Sequence, residues 1–299
     1  MRLISFIKNG ASGGGILKEN GVLPLKDLGY TDAIAFITAG EPAMAAAKRI
    51  IEKASVRDLL PLSNVKVVAP IPRPPKIFCI GLNYRDHAIE SKMEMPAVPT
   101  VFAKYSTAVT GPGAPIVISS ATQKPDYEAE LAVVIGKGGN RIVRDDWQDH
   151  VFGYTILNDV SARDVQLATS QWTLGKSLST FAPIGPHIVT KDEIADPHTL
   201  DIRLSIGGET LQHSNTRELI FRVPELIEYI SKFVSLEPGD IISTGTPAGV
   251  GLGRTPPRWL RAGDEVVIEI EKIGSLRNPV IAEEDVSSDL QASLVSTAR

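Results

Sequence analysis

The sequence predicts a β-rich α+β fold, closed as a roll or sandwich. Two observations carry this. Most apolar residues fall in short runs punctuated by Gly and Pro, and only two segments keep a clear helical spacing over several turns.

The elements follow in order. Arg2 to Ile7 reads as a strand, and Gly13-Gly14-Gly15 as a turn before Ile16-Leu17. Glu41 to Ser55 reads as a helix, Ala-rich, with Pro42 in its first turn. Ala69-Pro70-Ile71-Pro72-Arg73-Pro74-Pro75 is too dense in proline for either element and reads as a stiff extended connector. A domain boundary is placed there, giving a small N-terminal α/β domain over 1–70 and a main domain over 71–299. Strands are expected over Lys76–Gly81, Pro115–Ile118, Ala129–Ile135, Gly153–Val160, Pro186–Val189, Asp201–Ile206, Asp240–Thr244 and Glu265–Ile270. Pro224 to Val234 reads as an amphipathic helix with Val223, Ile227, Ile230 and Val234 as its apolar stripe. The polar stretch after Val280 reads as a loose end.

Composition narrows the function classes. Hydrophobic residues at 43% and charged residues at 22% of 299 suit a globular chain with a sizeable core and speak against disorder. A formal net charge of -4 disfavours nucleic acid or an anionic membrane as the main partner. No apolar stretch approaches a membrane span, and the first 20 residues lack a secretory h-region, so a cytoplasmic location is expected. Cys79 is the single cysteine, which rules out an intrachain disulfide; it sits in an apolar run and reads as a core residue.

Asp126-Tyr127-Glu128-Ala129-Glu130 begins acidic and runs into an apolar strand. On a strand, Glu128 and Glu130 point to one face, and two carboxylates at a core entrance repel each other. A divalent cation is the simplest compensation. Such a pair alone is commonly a solvated strand face, but Asn158-Asp159 ends another apolar strand and adds a third oxygen ligand. Oxygen donors favour Mg²⁺, Mn²⁺ or Ca²⁺ over Zn²⁺, and three ligands leave positions for water and substrate.

Longer motifs add to this reading. Gly81-Leu82-Asn83-Tyr84 with His87 and Glu90, Asp126 to Glu130, Asn158 to Gln166, Gly175-Lys176-Ser177 and Gly245 to Gly251 resemble, in order, the fumarylacetoacetate hydrolase family. The resemblance covers most of residues 70–281. It implies a mixed β-sandwich roll, a homodimer, and one Mg²⁺ or Mn²⁺ per subunit, with Ca²⁺ a possible substitute, on Glu128, Glu130 and Asp159. It also implies a small oxo-acid substrate. The extra aspartate that long-chain members carry before their histidine is replaced here by Phe78-Cys79-Ile80-Gly81, as in the smaller three-carboxylate members.

The resemblance makes His87 with Glu90 a general-base dyad, three residues apart on a short helix; Ser91 to Ala97, with two Met, a Pro and few strand signals, reads as a mobile lid carrying it. Lys176 would stabilise enolate charge, and Tyr84, Arg163, Gln166 and Thr246 would contact substrate. His150, His187, His198 and His213 show no ligand spacing. The first expectation for the reaction is hydrolysis of a C–C bond in an acylpyruvate or fumarylacetoacetate-like acid. The alternative is decarboxylation or isomerisation and tautomerisation of oxaloacetate or a 2-hydroxyhepta-2,4-diene-1,7-dioate-type acid. A non-catalytic binding protein would have no use for His87 beside Glu90.

Overall fold

Antiparallel pairing of Ala129–Ile135 with Val151–Asn158 forms the centre of the fold in a computed structural model that describes residues 1–287. Every residue of both strands is buried, which explains why they read as continuous apolar runs rather than alternating ones. They lie inside a twelve-stranded sheet. Its main path runs Leu60–Pro61, Gly21–Pro24, Ala11–Lys18, Arg2–Lys8, Ala182–Thr190, Val151–Asn158, Ala129–Ile135, Ile241–Ser243, Ile77–Gly81 and Thr100–Lys104. A second sheet of five strands runs Glu209–Asn215, Asp201–Ile206, Glu265–Ile270, Gly274–Ala282 and Ile116–Ile118. Both sheets are mixed: Ile241–Ser243 runs parallel to Ile77–Gly81, and Gly274–Ala282 parallel to Ile116–Ile118.

The two sheets share one core. Leu131, Val133 and Ile135 pack in a cluster with Ile202, Leu204, Val266 and Ile268 of the second sheet. The alternate residues of the same strand face away, Ala132 toward Cys79 and Ile184, Val134 toward Phe36 and Ile188. Each fully buried aliphatic side chain contributes roughly 1.5–3 kcal/mol relative to exposure. Glu130 therefore enters the structure on the same face as Ala132 and Val134, at the end of a strand that packing holds rigidly.

Several expected elements shift. Gly13-Gly14-Gly15 is the middle of a strand, Ala11–Lys18, and not a turn. A Cβ on Gly14 would stand 2.5 Å from Leu25 Cδ1, so the glycines there serve close packing. The turn is Asn9-Gly10, both at positive φ, which closes a two-residue hairpin between Lys8 and Ala11. The second helix spans Val223–Ser231 and buries Val223, Ile227 and Ile230, but Val234 lies beyond it and is 41% exposed. The helix closes early because the amides of Phe233 and Val234 both turn back to the Ile230 carbonyl. The first helix, Gly40–Lys53, buries Ala43, Met44, Ala47 and Ile51 along one side. Strand Gly274–Ala282 continues past Val280, where a loose end was expected, because Val280 and Ala282 pair with Ile116 and Ile118. The rest of that expected tail, from residue 288, lies outside the described residues. The proline-dense segment carries no regular element, and the strands before it join the same sheet as those after it. No helix among the described residues is long and apolar enough to cross a membrane.

His187 on the Ala182–Thr190 strand gives the fold a pH response. Burial, aided by the charge of Arg2, pushes its imidazole from 6.5 down to about 4. Between those two values the unfolded chain binds the proton and the folded chain does not, so stability falls as pH drops through that window. Urea unfolding across pH 7 to 4 should show this loss, and His187→Gln should remove its share of the slope.

Candidate active site

The register of the central strand pair determines the site. Ala129 lies opposite Asn158, the Asp159 amide donates to the Glu128 carbonyl at 2.9 Å, and Asn158 Oδ1 accepts from the Glu128 amide at 3.0 Å. Pro125-Asp126 then pairs with Ser161-Ala162 just beyond. Glu128, Glu130 and Asp159 thereby converge, each offering a carboxylate oxygen within 4.8 Å of the others, and all three are buried.

Buried cations surround them. Arg163 Nε bonds Asp126 Oδ2 at 2.8 Å, Nη2 bonds Glu128 Oε1 at 2.5 Å, and Nη1 bonds Gln166 Oε1 at 2.9 Å. Lys176 Nζ bridges Glu128 Oε2 at 2.7 Å and Asp159 Oδ2 at 2.8 Å, and lies 5.0 Å from the centre of the Phe102 ring. Lys104 Nζ reaches Asp159 Oδ1 at 2.7 Å and the Val160 carbonyl at 3.0 Å. Burial opposes ionisation of Glu128, yet Arg163 and Lys176 hold its carboxyl down to about 2. Lys176 stays charged for the reciprocal reason: Asp159 and Glu128 raise its pKa against the pull of burial.

Glu130 differs. Its Oε2 accepts from Ser243 Oγ at 2.6 Å and from the Gly245 amide at 2.9 Å, and no hydrogen bond among the described residues reaches Oε1. No ion pair among the described residues includes it. Burial first, then the charges of Asp159 and Glu128, push its carboxyl well above the usual range. The cluster thus holds four carboxylates, counting Asp126, against three cations. A divalent cation fits this donor set: the ligands are all oxygen, and the least compensated carboxylate is one of the three that converge.

The dyad faces this cluster across a cavity of about 500 Å³ lined by both. Helix Arg85–Glu90 places His87 Nδ1 3.2 Å from Glu90 Oε2. Glu90 Oε1 also accepts the Gly249 amide at 2.9 Å, Asp86 Oδ2 accepts Ser214 Oγ at 2.5 Å, and Arg85 Nη1 donates to the Leu219 carbonyl at 3.1 Å, so several bonds tie the helix to the body. Burial works against the Glu90 charge, but His87 and the Gly249 amide outweigh it and lower its pKa. Gly253 is required here: a Cβ on it would lie 2.7 Å from Glu90 Cδ.

The other expected residues are placed as follows. Gln166 and Thr246 line the cavity, and Thr246 Oγ1 accepts from Gln212, which leaves its own proton free to donate. Arg163 lines it as well, but each guanidinium nitrogen is already bonded within the protein, so its main work is to fix Glu128 and Gln166. Tyr84 is fully buried and does not line the cavity, so a direct substrate contact is not available to it. Met93, from the expected lid, does line it and is 60% exposed. Lys104, Ser243, Phe102 and Trp172 escaped the sequence reading. Lys104 sits in the unforeseen strand Thr100–Lys104, and a lysine ending such a strand could have been noted for its inward position.

Comparison with known proteins agrees with this geometry. Residues 76–281 match the family model described as fumarylacetoacetate (FAA) hydrolase C-terminal. The chain belongs to the fumarylacetoacetate hydrolase family. It is 48% identical over 248 residues to "Oxaloacetate tautomerase fahd2, mitochondrial" of Xenopus laevis, covering 82% of this chain and 77% of that protein. It is likewise 48% identical over 258 residues to "Oxaloacetate tautomerase YisK" of Bacillus subtilis, covering 83% and 85%. The solved maleylpyruvate hydrolase of Sphingobium sp. SYK-6, in complex with manganese(II) and pyruvate, superposes with a TM-score of 0.79 at 30% identity, covering 94% of this chain and 99% of that one. The mixed, strand-rich fold expected from the sequence is the fold of this family, and the protein is an enzyme of it.

Glu130 supplies a test of the site. Glu130→Gln removes a buried, poorly compensated carboxylate but keeps an acceptor for Ser243 and Gly245, so the metal-free protein should become more stable. Mn²⁺ at a hundredfold excess over its dissociation constant should stabilise the wild type by about 2.7 kcal/mol. The variant should show almost none of that gain in a thermal-shift titration.

Proposed function

We propose that this enzyme is a divalent-metal-dependent oxaloacetate tautomerase. The single observation that carries the reading is a proton-transfer dyad, His87 with Glu90, that shares one cavity with Glu128 and Glu130, two of the three convergent carboxylates. The oxaloacetate tautomerase names on two relatives at 48% identity support it. C–C hydrolysis, the first expectation, has its support in solved hydrolases at 34% and 30% identity, and the tautomerase alternative is preferred because its relatives reach 48%.

Glu128, Glu130 and Asp159 would hold Mg²⁺ or Mn²⁺. Bound there, the ion is a Lewis acid that lowers the energy of negative charge on a 2-oxo oxygen. The side chains do the rest. The imidazole of His87, oriented by Glu90, takes a proton from C3 of the keto acid and returns it to the 2-oxygen, which yields the enol with no change of mass. The ammonium of Lys176 steadies the charge that develops between the two transfers. Gln166, whose amide nitrogen donates to no other group among the described residues, and Thr246 offer donors to the substrate carboxylate. Phe102, Trp172, Leu167 and Leu252 line the same cavity with apolar surface. The homodimer implied by the resemblance belongs to the same reading, and light scattering should return twice the chain mass.

Loss of enol absorbance on adding enzyme to oxaloacetate tests the proposal. With metal present, enol–keto exchange should be catalysed without matching release of CO₂ or pyruvate. His87→Ala should lower kcat by roughly 10²–10⁴-fold and leave metal binding intact. If His87→Ala exchanged at the wild-type rate, or if CO₂ or pyruvate formed as fast as the enol disappeared, the reading would be wrong. Gly253→Ala is a subtler probe. It displaces Glu90 without touching a metal ligand, so kcat should fall while the Mn²⁺ thermal shift stays.

A further inference from the structure

Arg254 directly follows the glycine-rich loop of Gly245, Gly249, Gly251 and Gly253, and it does not line the active-site cavity. We propose that Arg254 is a positioning residue for the His87–Glu90 dyad, pinning the loop residue that holds Glu90 and keeping a positive charge near that carboxylate. The inference rests on the dyad's part in the proposed function.

The argument begins with Glu90. Its Oε2 meets His87 Nδ1 at 3.2 Å, a long bond that a carboxylate able to turn would lose. The Gly249 amide, 2.9 Å from Oε1, fixes the other oxygen and with it the plane of the group. Gly249 can do this only if it is itself held. Its φ is +102°, and a Cβ on it would stand 2.1 Å from the Leu211 carbonyl oxygen. Arg254 spans that close approach. Its Nη2 donates to the Leu211 carbonyl at 2.6 Å and its Nε to the Gly249 carbonyl at 3.3 Å. Tyr127 Oη adds a bond to the same Gly249 carbonyl at 3.2 Å. The forked guanidinium thereby ties the loop to the edge strand Glu209–Asn215, a task that a point-like ammonium performs poorly.

Charge is the second contribution. No ion pair among the described residues includes Arg254, so no contacting carboxylate there cancels its charge. Burial opposes the charge of Glu90, while His87, the Gly249 amide and, from beyond contact distance, Arg254 favour it. An ionised Glu90 keeps the proton of His87 on Nδ1 and leaves Nε2 as the base.

The test compares Arg254→Gln with Arg254→Lys in the Mg²⁺-loaded enzyme, with His87→Ala as the reference. The cation disfavours protonation of both Glu90 and His87, so its loss in Arg254→Gln should move the acid limb of kcat/KM up by roughly half a pH unit. His87, followed by NMR and assigned by its absence in His87→Ala, should titrate higher by a similar step. The kcat of Arg254→Gln should fall roughly tenfold or more as Glu90 loses its plane, while the Mn²⁺ thermal shift stays. Arg254→Lys keeps the charge but not the fork, so its acid limb should remain at the wild-type pH and its kcat should fall by less. An arginine that only stabilised the loop would lower the melting temperature and leave both the limb and the His87 titration in place. An unaltered His87 titration in Arg254→Gln, or wild-type kcat in both variants, would overturn the inference. If Arg254→Gln fails to fold, wild-type kcat in Arg254→Lys alone does so. The NMR titration needs no substrate, so a shifted His87 in an enzyme without enol–keto exchange would support the positioning role and count against the tautomerase reading alone.

Discussion

Everything at the active site depends on the hydrogen-bonded register between Ala129–Ile135 and Val151–Asn158. Because Ala129 sits opposite Asn158, acidic residues from two distant stretches of chain end at one buried point. The electrostatic cost is large at such depth, since unit charges about 4 Å apart interact by several kcal/mol even at a moderate effective dielectric. Arg163, Lys176 and Lys104 answer most of it. What they do not answer falls on Glu130, and that shortfall suits a divalent ion followed by an anionic oxo acid.

The same crowding divides labour among residues that look alike in a sequence. Arg163 and Lys176 are both cations beside Glu128. Arg163 spreads its fork over Asp126, Glu128 and Gln166 and acts as a brace. Lys176 is a point charge set over an aromatic face, near enough to the cavity to meet a developing anion. Asp126 shows the reverse case. It stands in the same acidic motif as Glu128 and Glu130 but is occupied by Arg163 and by the amides of Gly251 and Leu252, so it anchors the glycine-rich loop.

Much of this was legible in the residues. The two buried strands announced themselves as apolar runs, and the spacing of Glu128, Glu130 and Asp159 at their ends pointed to one place. What stayed hidden has physical reasons. Strand Glu209–Asn215 is an edge strand with a polar composition, so no apolar pattern marks it. Gly13-Gly14-Gly15 carries turn chemistry in its letters but is glycine because Leu25, Val22 and Phe6 press against it. Lys104 is invisible to a search for acids and bases in motifs, since only the fold brings it to Asp159. Tyr84 lies beside the right motif but faces the interior.

The Arg2–Lys8 strand pairs with Ala182–Thr190, which pairs with Val151–Asn158, and that strand ends one residue before Asp159. Two ladders therefore join the start of the chain to a carboxylate at the heart of the chemistry. Cutting the protein at the proline-dense segment would strip Ala182–Thr190 of a neighbour and bare a row of backbone donors and acceptors along an apolar edge, which invites self-association. Evolution of the first 68 residues is accordingly constrained by the sheet they complete, and swapping them between relatives should succeed only where the edge hydrogen bonds match.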